Sequence, residues 1–138
     1  MANFTIALKK VLKNEGGYAN NPNDAGGETY KGISRKNHPT WTGWVSIDQI
    51  KKAHPRGFKT ILEHTPELQD KVKEFYKRRF WDELCLDSCG NQELANQAFD
   101  MAVNAGIKAG VKILQKVIGV PADGILGNVT KQAIAKIK

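Results

Sequence analysis

Between residues 3 and 15 the apolar side chains Phe4, Ala7, Leu8, Val11 and Leu12 recur at the helical interval, which predicts an amphipathic helix. Asn3 is placed to cap its start, and Gly16 and Gly17 to end it by supplying a left-handed backbone position. Residues 18–27 read as turn material, Asn20-Asn21-Pro22-Asn23-Asp24 followed by Gly26-Gly27. The stretch from Thr29 to Ser34 reads as a short β-hairpin or extended piece. After a loop holding Trp41 and Trp44, Ser46-Ile47-Asp48-Gln49 has the form of a capping box opening a short helix that stops before Pro55. Thr65-Pro66-Glu67 opens a further helix with Leu68, Val72, Phe75, Tyr76 and Phe80 along one side. Asn91 caps the next, with Leu94, Ala95, Ala98, Phe99, Ala102 and Val103 inward and Gly106 at its end. Residues 107–118 form another, stopped by Gly119 and Pro121, and a last helix begins near Asn128. The pattern predicts a mainly α chain with a small β-hairpin or irregular element after the first helix.

No tandem repeat or low-complexity tract interrupts this order. A seam near Ser88-Cys89-Gly90 divides residues 1–90 from residues 91–138, and 138 residues favour two parts packed on one core. An apolar fraction of 41% with 25% charged residues is that of a globular protein. No stretch approaches the roughly 20 apolar residues that span a bilayer, so no integral membrane segment is expected. The first ten residues lack the basic-then-apolar order of a signal peptide and read as helix.

The net charge of +7 favours an anionic partner: nucleic acid, a membrane surface or an acidic wall polymer. Lysines and arginines are scattered over several helices with no helix-turn-helix, RNP or zinc-finger pattern, which argues against nucleic acid. Cys85 and Cys89 are four apart, a poor spacing for a disulfide within one helix, and are expected as reduced, partly buried thiols. His38, His54 and His64 lack zinc-site spacing and the Asn/Asp-rich loop lacks the calcium pattern, so neither a metal nor a cofactor is expected.

Few residues look chemical. Glu15 stands where a helix should end, at the negative end of its dipole, which disfavours the ionised form and suits a proton donor. Alone it would be an exposed acid at a frayed end. Asp24 alone would be a turn former, and Thr29 an ordinary strand residue. Together, an acid to protonate a leaving oxygen and a carboxylate and hydroxyl to place a water suit glycoside hydrolysis.

Glu15-Gly16-Gly17-Tyr18, with Asp24-x-Gly26-Gly27-x-Thr29-x-x-Gly32-Ile33, resembles the signature of glycoside hydrolase family 108, N-acetylmuramidases that cut peptidoglycan. Phe75-Tyr76-Lys77-Arg78-Arg79-Phe80-Trp81 and Phe99-Asp100-Met101-Ala102-Val103-Asn104-Ala105-Gly106 are similar to two further blocks of that family. The order Glu, Asp, Thr before Gly-Ile also resembles phage lysozymes. The resemblance implies a lysozyme-like helical fold, Glu15 as catalytic acid, and Asp24 and Thr29 as its partners by analogy with the phage enzymes. It implies peptidoglycan as partner, with Tyr18, Tyr30, Asp100 and Asn104 as candidate substrate-binding residues. Asp100 and Asn104, at i and i+4, share one helix face, and a buried polar pair tying two helices is an equal reading. Leu114-Gln115 and Asp123-Gly124-Ile125-Leu126-Gly127-Asn128-Val129-Thr130 resemble a peptidoglycan-binding pattern, read over residues 91–138. The chain stops at Lys138, soon after that pattern, where family members usually continue. The resemblance thus implies an endolysin-type muramidase, expected as a monomer, made in the cytoplasm and acting on the cell wall or periplasm after export or lysis. The competing expectation is a wall-binding or secretion-accessory protein without turnover.

Overall fold

The computed structural model describes residues 2–14, 17–20, 23 and 27–137. Their elements run α1 (Phe4–Asn14), β1 (Tyr18–Asn20), β2 (Glu28–Tyr30), β3 (Ile33–Ser34), α2 (Gly43–Ala53), α3 (Phe58–Glu63) and α4 (Pro66–Tyr76). A π-helical turn (Lys77–Trp81) and a 3-10 turn (Leu86–Ser88) follow, then α5 (Gln92–Ala105), α6 (Ile107–Ile118) and α7 (Asn128–Ala135). This is the mainly α, lysozyme-like arrangement expected, with a small antiparallel sheet after the first helix. The chain divides into two compact units, Leu12–Phe75 on the one hand and Met1–Val11 with Tyr76–Lys138 on the other. The Ser88-Cys89-Gly90 seam lies inside the second of these.

In the unit of Leu12–Phe75 the sheet has the order β1-β2-β3. Tyr18 pairs with Tyr30, Ala19 with Thr29 and Asn20 with Glu28, and β2 returns to β3 with Tyr30 opposite Ile33. Lys31 and Gly32 both have positive φ (47° and 84°), the turn geometry that matches the twist of a two-residue hairpin. Tyr18–Asn20 is therefore strand where turn was expected: β2 supplies its hydrogen bonds from ten residues away, a pairing that local turn residues do not disclose. Tyr30, Ile33, Trp44, Ile47, Leu62, Leu68, Val72 and Phe75 form the buried side of the unit.

Helix α2 starts at Gly43, ahead of the Ser46 box. The Trp41 indole lies directly over Gly43, so a Cβ there would collide with the ring. That ring also meets Trp44 at 5.4 Å and Phe75 at 6.0 Å, both edge-on, and its Nε1 donates to the Lys71 carbonyl at 3.3 Å. Ser46, inside the helix, accepts from Lys71 Nζ at 2.9 Å. Trp44 is thus core, at 2% exposure, with its Nε1 bonded to the His38 carbonyl at 3.0 Å.

In the other unit, Phe4, Trp81 and Phe99 form a mutual edge-to-face triangle with centroid separations of 5.4, 5.7 and 5.8 Å. Asn3 accepts from the Ile6 N–H at 3.3 Å and Asn91 from the Leu94 N–H at 3.0 Å, the two caps expected from the sequence. Gln92 bonds both the N–H and the carbonyl of Asn3, at 2.6 and 3.1 Å, fastening the start of the chain to α5. Gly106, at φ 100°, is the single residue between α5 and α6, C-cap of the one and N-cap of the other. A Cβ on Gly110 would stand 2.8 Å from the Ala98 carbonyl and 2.9 Å from Ala102 Cβ, so glycine sets how closely α6 lies on α5. Cys85 and Cys89 are free thiols, Cys89 buried with its Sγ 3.4 Å from the Asn91 carbonyl.

Candidate active site

The unit of Leu12–Phe75 carries Glu15, Tyr18, Asp24, Thr29 and Tyr30. Glu15 and Asp24 lie outside the described residues, as do Gly16 and Gly26. What is described is the frame on either side of them: α1 before, β1 and β2 between and after.

That frame has two faces. Along β1 and β2 side chains alternate, so Tyr18, Glu28 and Tyr30 share one face and Thr29 stands on the other, opposite Ala19 and Ser34. The sheet therefore separates Thr29 from the two tyrosines with which it was grouped.

Tyr18 and Glu28, diagonal neighbours, are tied by a hydrogen bond from the phenol to Glu28 Oε2. Lys51 of α2 donates to the same phenol at 3.0 Å and lies 5.4 Å from its ring centre. Arg35 Nη1 reaches Glu28 Oε1 at 2.9 Å, and its two Nη atoms grip Asp48 at 2.8 and 2.7 Å. Planar guanidinium and carboxylate match as a bidentate pair. Burial and the Glu28 hydrogen bond push the Tyr18 phenol above its ordinary value. Arg35 holds the Asp48 carboxyl below its ordinary value, while the bond to Tyr18 raises Lys51. Glu28 is thus the hub of a charged network, its side chain only 14% exposed, one residue from Thr29.

Tyr30 is fully buried, at 0% exposure, and offers no ring face to a sugar. Its phenol accepts from Gln69 Nε2 at 2.9 Å and lies 3.4 Å from Glu63 Oε1. Burial, against the pull of Gln69, pushes that phenol up to about 12 from 10.0. Above pH 10 the folded chain therefore keeps a proton that the unfolded chain releases, and stability fully present below that pH is lost as pH rises towards 12. Thermal midpoints are expected to fall as pH is raised through about 10, and to fall less steeply in Tyr30→Phe. An equally steep decline in the variant would assign the effect to other groups.

Asp100 and Asn104 lie on α5, in the other unit, and both are exposed. Asn104 Nδ2 donates to the Asp100 carbonyl at 2.8 Å and to its Oδ1 at 3.1 Å. They are a surface pair within one helix, not a buried tie between two. In the C-terminal pattern, buried Gln115 donates to Asp123 Oδ1 and the Ile125 carbonyl and accepts from the Gly124 N–H, each at 2.9 Å. Those residues thereby fold the loop after α6 back on that helix.

Glu28, Arg35, Lys51 and Glu63 escaped the sequence reading. Glu28 had a signal, since period-two alternation from Tyr30 puts it beside the tyrosines. Glu63 had none, because only the chain's path through α3 and α4 brings it near the signature. Among the described residues, no group of three or more His, Cys, Asp or Glu is placed to hold a metal, and no helix is long and apolar enough to cross a membrane.

Residues 8–106 match the family model described as Glycosyl hydrolase 108, a span that contains the Glu-Gly-Gly-Tyr motif, the three strands and the Asp100–Asn104 block. The chain belongs to glycosyl hydrolase family 108. It is accordingly a glycoside hydrolase, and peptidoglycan is the substrate that family membership supports. The hydrolase is also similar to the structure of Brucella abortus SagA, with a TM-score of 0.60 and 28% identity over 98% of this chain and 70% of that one. No curated protein sequence matches it. The family match ends at residue 106, so α6, the Gln115 loop and α7 lie beyond it.

Proposed function

We propose that this glycoside hydrolase is an N-acetylmuramidase, cleaving the β-1,4 bond from N-acetylmuramic acid to N-acetylglucosamine in peptidoglycan. The observation that carries the reading is the family match over residues 8–106, the segment that holds Glu15, Asp24 and Thr29. In this mechanism Glu15 protonates the glycosidic oxygen as the bond breaks. Asp24 and Thr29 place a water or stabilise the oxocarbenium-like sugar. Tyr18, held by Glu28 and Lys51, follows Glu15 by three residues in the sequence. Cationic excess favours residence on an anionic wall. The site of action is the cell wall, with an endolysin-type role.

Mass spectrometry of products from purified sacculi tests the bond. Fragments with N-acetylmuramic acid at the new reducing end are expected. Reducing-end N-acetylglucosamine would make the enzyme a glucosaminidase, and cleaved peptides without new reducing ends would remove glycosidase action.

A further inference from the structure

A cavity of about 290 Å³ opens in the unit formed by Met1–Val11 and Tyr76–Lys138, lined by Asp82, Glu83, Cys85, Leu126 and Lys131. The Glu-Gly-Gly-Tyr signature belongs to the other unit, and no step proposed for catalysis uses these residues. Two stretches of chain make the walls. The first is the turn that leaves the π-helical segment, where the Cys85 N–H bonds the Asp82 carbonyl at 3.0 Å and Leu84 is buried. Cys85 then takes φ 55°, a left-handed conformation that leads the chain into the 3-10 turn. The second wall is the loop before α7 with the start of that helix, which buried Thr130 and Ile134 seat in the core. Gln115 holds the loop through Asp123, Gly124 and Ile125. Leu126 and Lys131 lie beyond residue 106, so the segment outside the family match completes the cavity.

The charges in this lining do not cancel one another. Asp82 is taken by Lys77, whose Nζ stands 2.9 Å from its Oδ1. Glu83 and Lys131, both exposed, have no ion-pair or side-chain hydrogen-bond partner among the described residues. A carboxylate and an ammonium therefore border one cavity, opposite in sign and not in contact. A bound anion alone would be repelled by Glu83, and a bound cation alone by Lys131. A ligand carrying both charges satisfies both. The volume falls at the lower end of small-molecule sites, which limits the ligand to about the size of an amino acid. Leu126 adds an aliphatic contact. Asp82, Glu83 and Cys85 do not form a group placed to hold a metal ion.

We propose that this cavity binds the zwitterionic end of an amino acid, with its ammonium against Glu83, its carboxylate against Lys131 and its aliphatic stem along Leu126. Two sources carry that chemistry. One is a free amino acid. The other is the stem peptide of peptidoglycan: in walls built with diaminopimelate, that residue presents an ammonium and a carboxylate on one carbon wherever it is not cross-linked. The second source rests on peptidoglycan being the substrate; the charge pairing does not.

The probe is diaminopimelate, titrated into the full chain at low salt and followed by calorimetry. Pimelate lacks its ammonium groups, and 1,5-diaminopentane lacks its carboxylates. Both are expected to bind at least about ten-fold more weakly, since each leaves one charge of the lining unanswered. Glu83→Gln and Lys131→Gln should each weaken diaminopimelate by about ten-fold or more. Neither should move the thermal midpoint much, because both side chains are exposed. A second readout is local. Cys85 lines the cavity and Cys89 is buried, so bound diaminopimelate should slow the alkylation of Cys85 by iodoacetamide in the native protein. No binding of diaminopimelate, equal binding of either control, wild-type affinity in both variants, or alkylation indifferent to the ligand would each overturn the proposal. Comparing free diaminopimelate with a disaccharide-tetrapeptide that contains it decides the source. Tighter binding of the muropeptide assigns the cavity to the wall, and tighter binding of the amino acid assigns it to a soluble metabolite. Glycan cleavage without diaminopimelate binding overturns this proposal alone, and binding without cleavage overturns the muramidase reading alone.

Discussion

Glu15→Gln is expected to lose lytic activity by about a hundred- to ten-thousand-fold, the range general acid catalysis supplies. Glutamine has nearly the same size and still forms hydrogen bonds, but it has no proton to give to a departing alkoxide. A disaccharide alcohol is a poor leaving group in water, so a loss confined to this proton should appear in kcat and leave substrate binding nearly intact. The thermal midpoint should stay close to that of the wild type. α1 is held through Ala7, Leu8 and Val11, all buried and all upstream of residue 15. The decisive measurement is release of reducing ends from sacculi, normalised to folded protein. Full activity in Glu15→Gln would transfer the role of acid to another carboxyl group, with Asp24 the next to substitute.

Phe99→Ala should produce the largest loss of stability, about 3–5 kcal/mol. Phe99 is 0% exposed and its ring is met edge-on by Phe4 at 5.8 Å, Trp81 at 5.7 Å and Tyr76 at 6.4 Å. These are favourable aromatic geometries, and removing the shared ring leaves three others facing a void too apolar to fill with water. Set against the 5–15 kcal/mol typical of a whole domain, that is a large fraction of the total. Urea unfolding should show the midpoint moving down at an unchanged slope. Phe99→Leu, which refills most of the volume, should recover most of the loss. If Phe99→Ala costs under about 1 kcal/mol, the surrounding rings have collapsed into the gap and the cluster is not the rigid centre described.

Phe99 was legible as a core residue from helical periodicity alone, and so were the caps at Asn3 and Asn91. In each case a side chain or a face is fixed by residues within one or two turns. The misses share the opposite property. β1 is three residues with Tyr18 as its one strong strand former, too few to show alternation; it is a strand because β2 pairs with it. α3 is six residues long, too short for an apolar stripe to declare itself, and it is preceded by a left-handed Gly57 two residues after Pro55. Ser46 has the form of a cap, yet its hydroxyl is taken by Lys71 and the helix begins where Trp41 covers Gly43. The site divides along the same line. Glu15, Asp24 and Thr29 are a motif in one stretch of chain and can be read as such. Glu63 gains its meaning from partners such as Tyr30, 33 residues away, and no local rule points to it; strand alternation places Glu28 beside the tyrosines but does not disclose its partner Lys51.

The π-helical turn at Lys77–Trp81 bears on how relatives of this chain should be aligned. The Asp82 N–H bonds the Lys77 carbonyl at 2.8 Å, a five-residue step, and the buried rings Tyr76 and Trp81 stand five apart, with Phe80 only partly covered. Ordinary winding would bring a residue three or four positions on to the same side. The turn therefore accommodates one more residue than the face requires. A homologue one residue shorter here could keep both aromatic anchors by reverting to regular α-winding. A single-residue gap at this point would then mark a change of helical winding between two members with the same core.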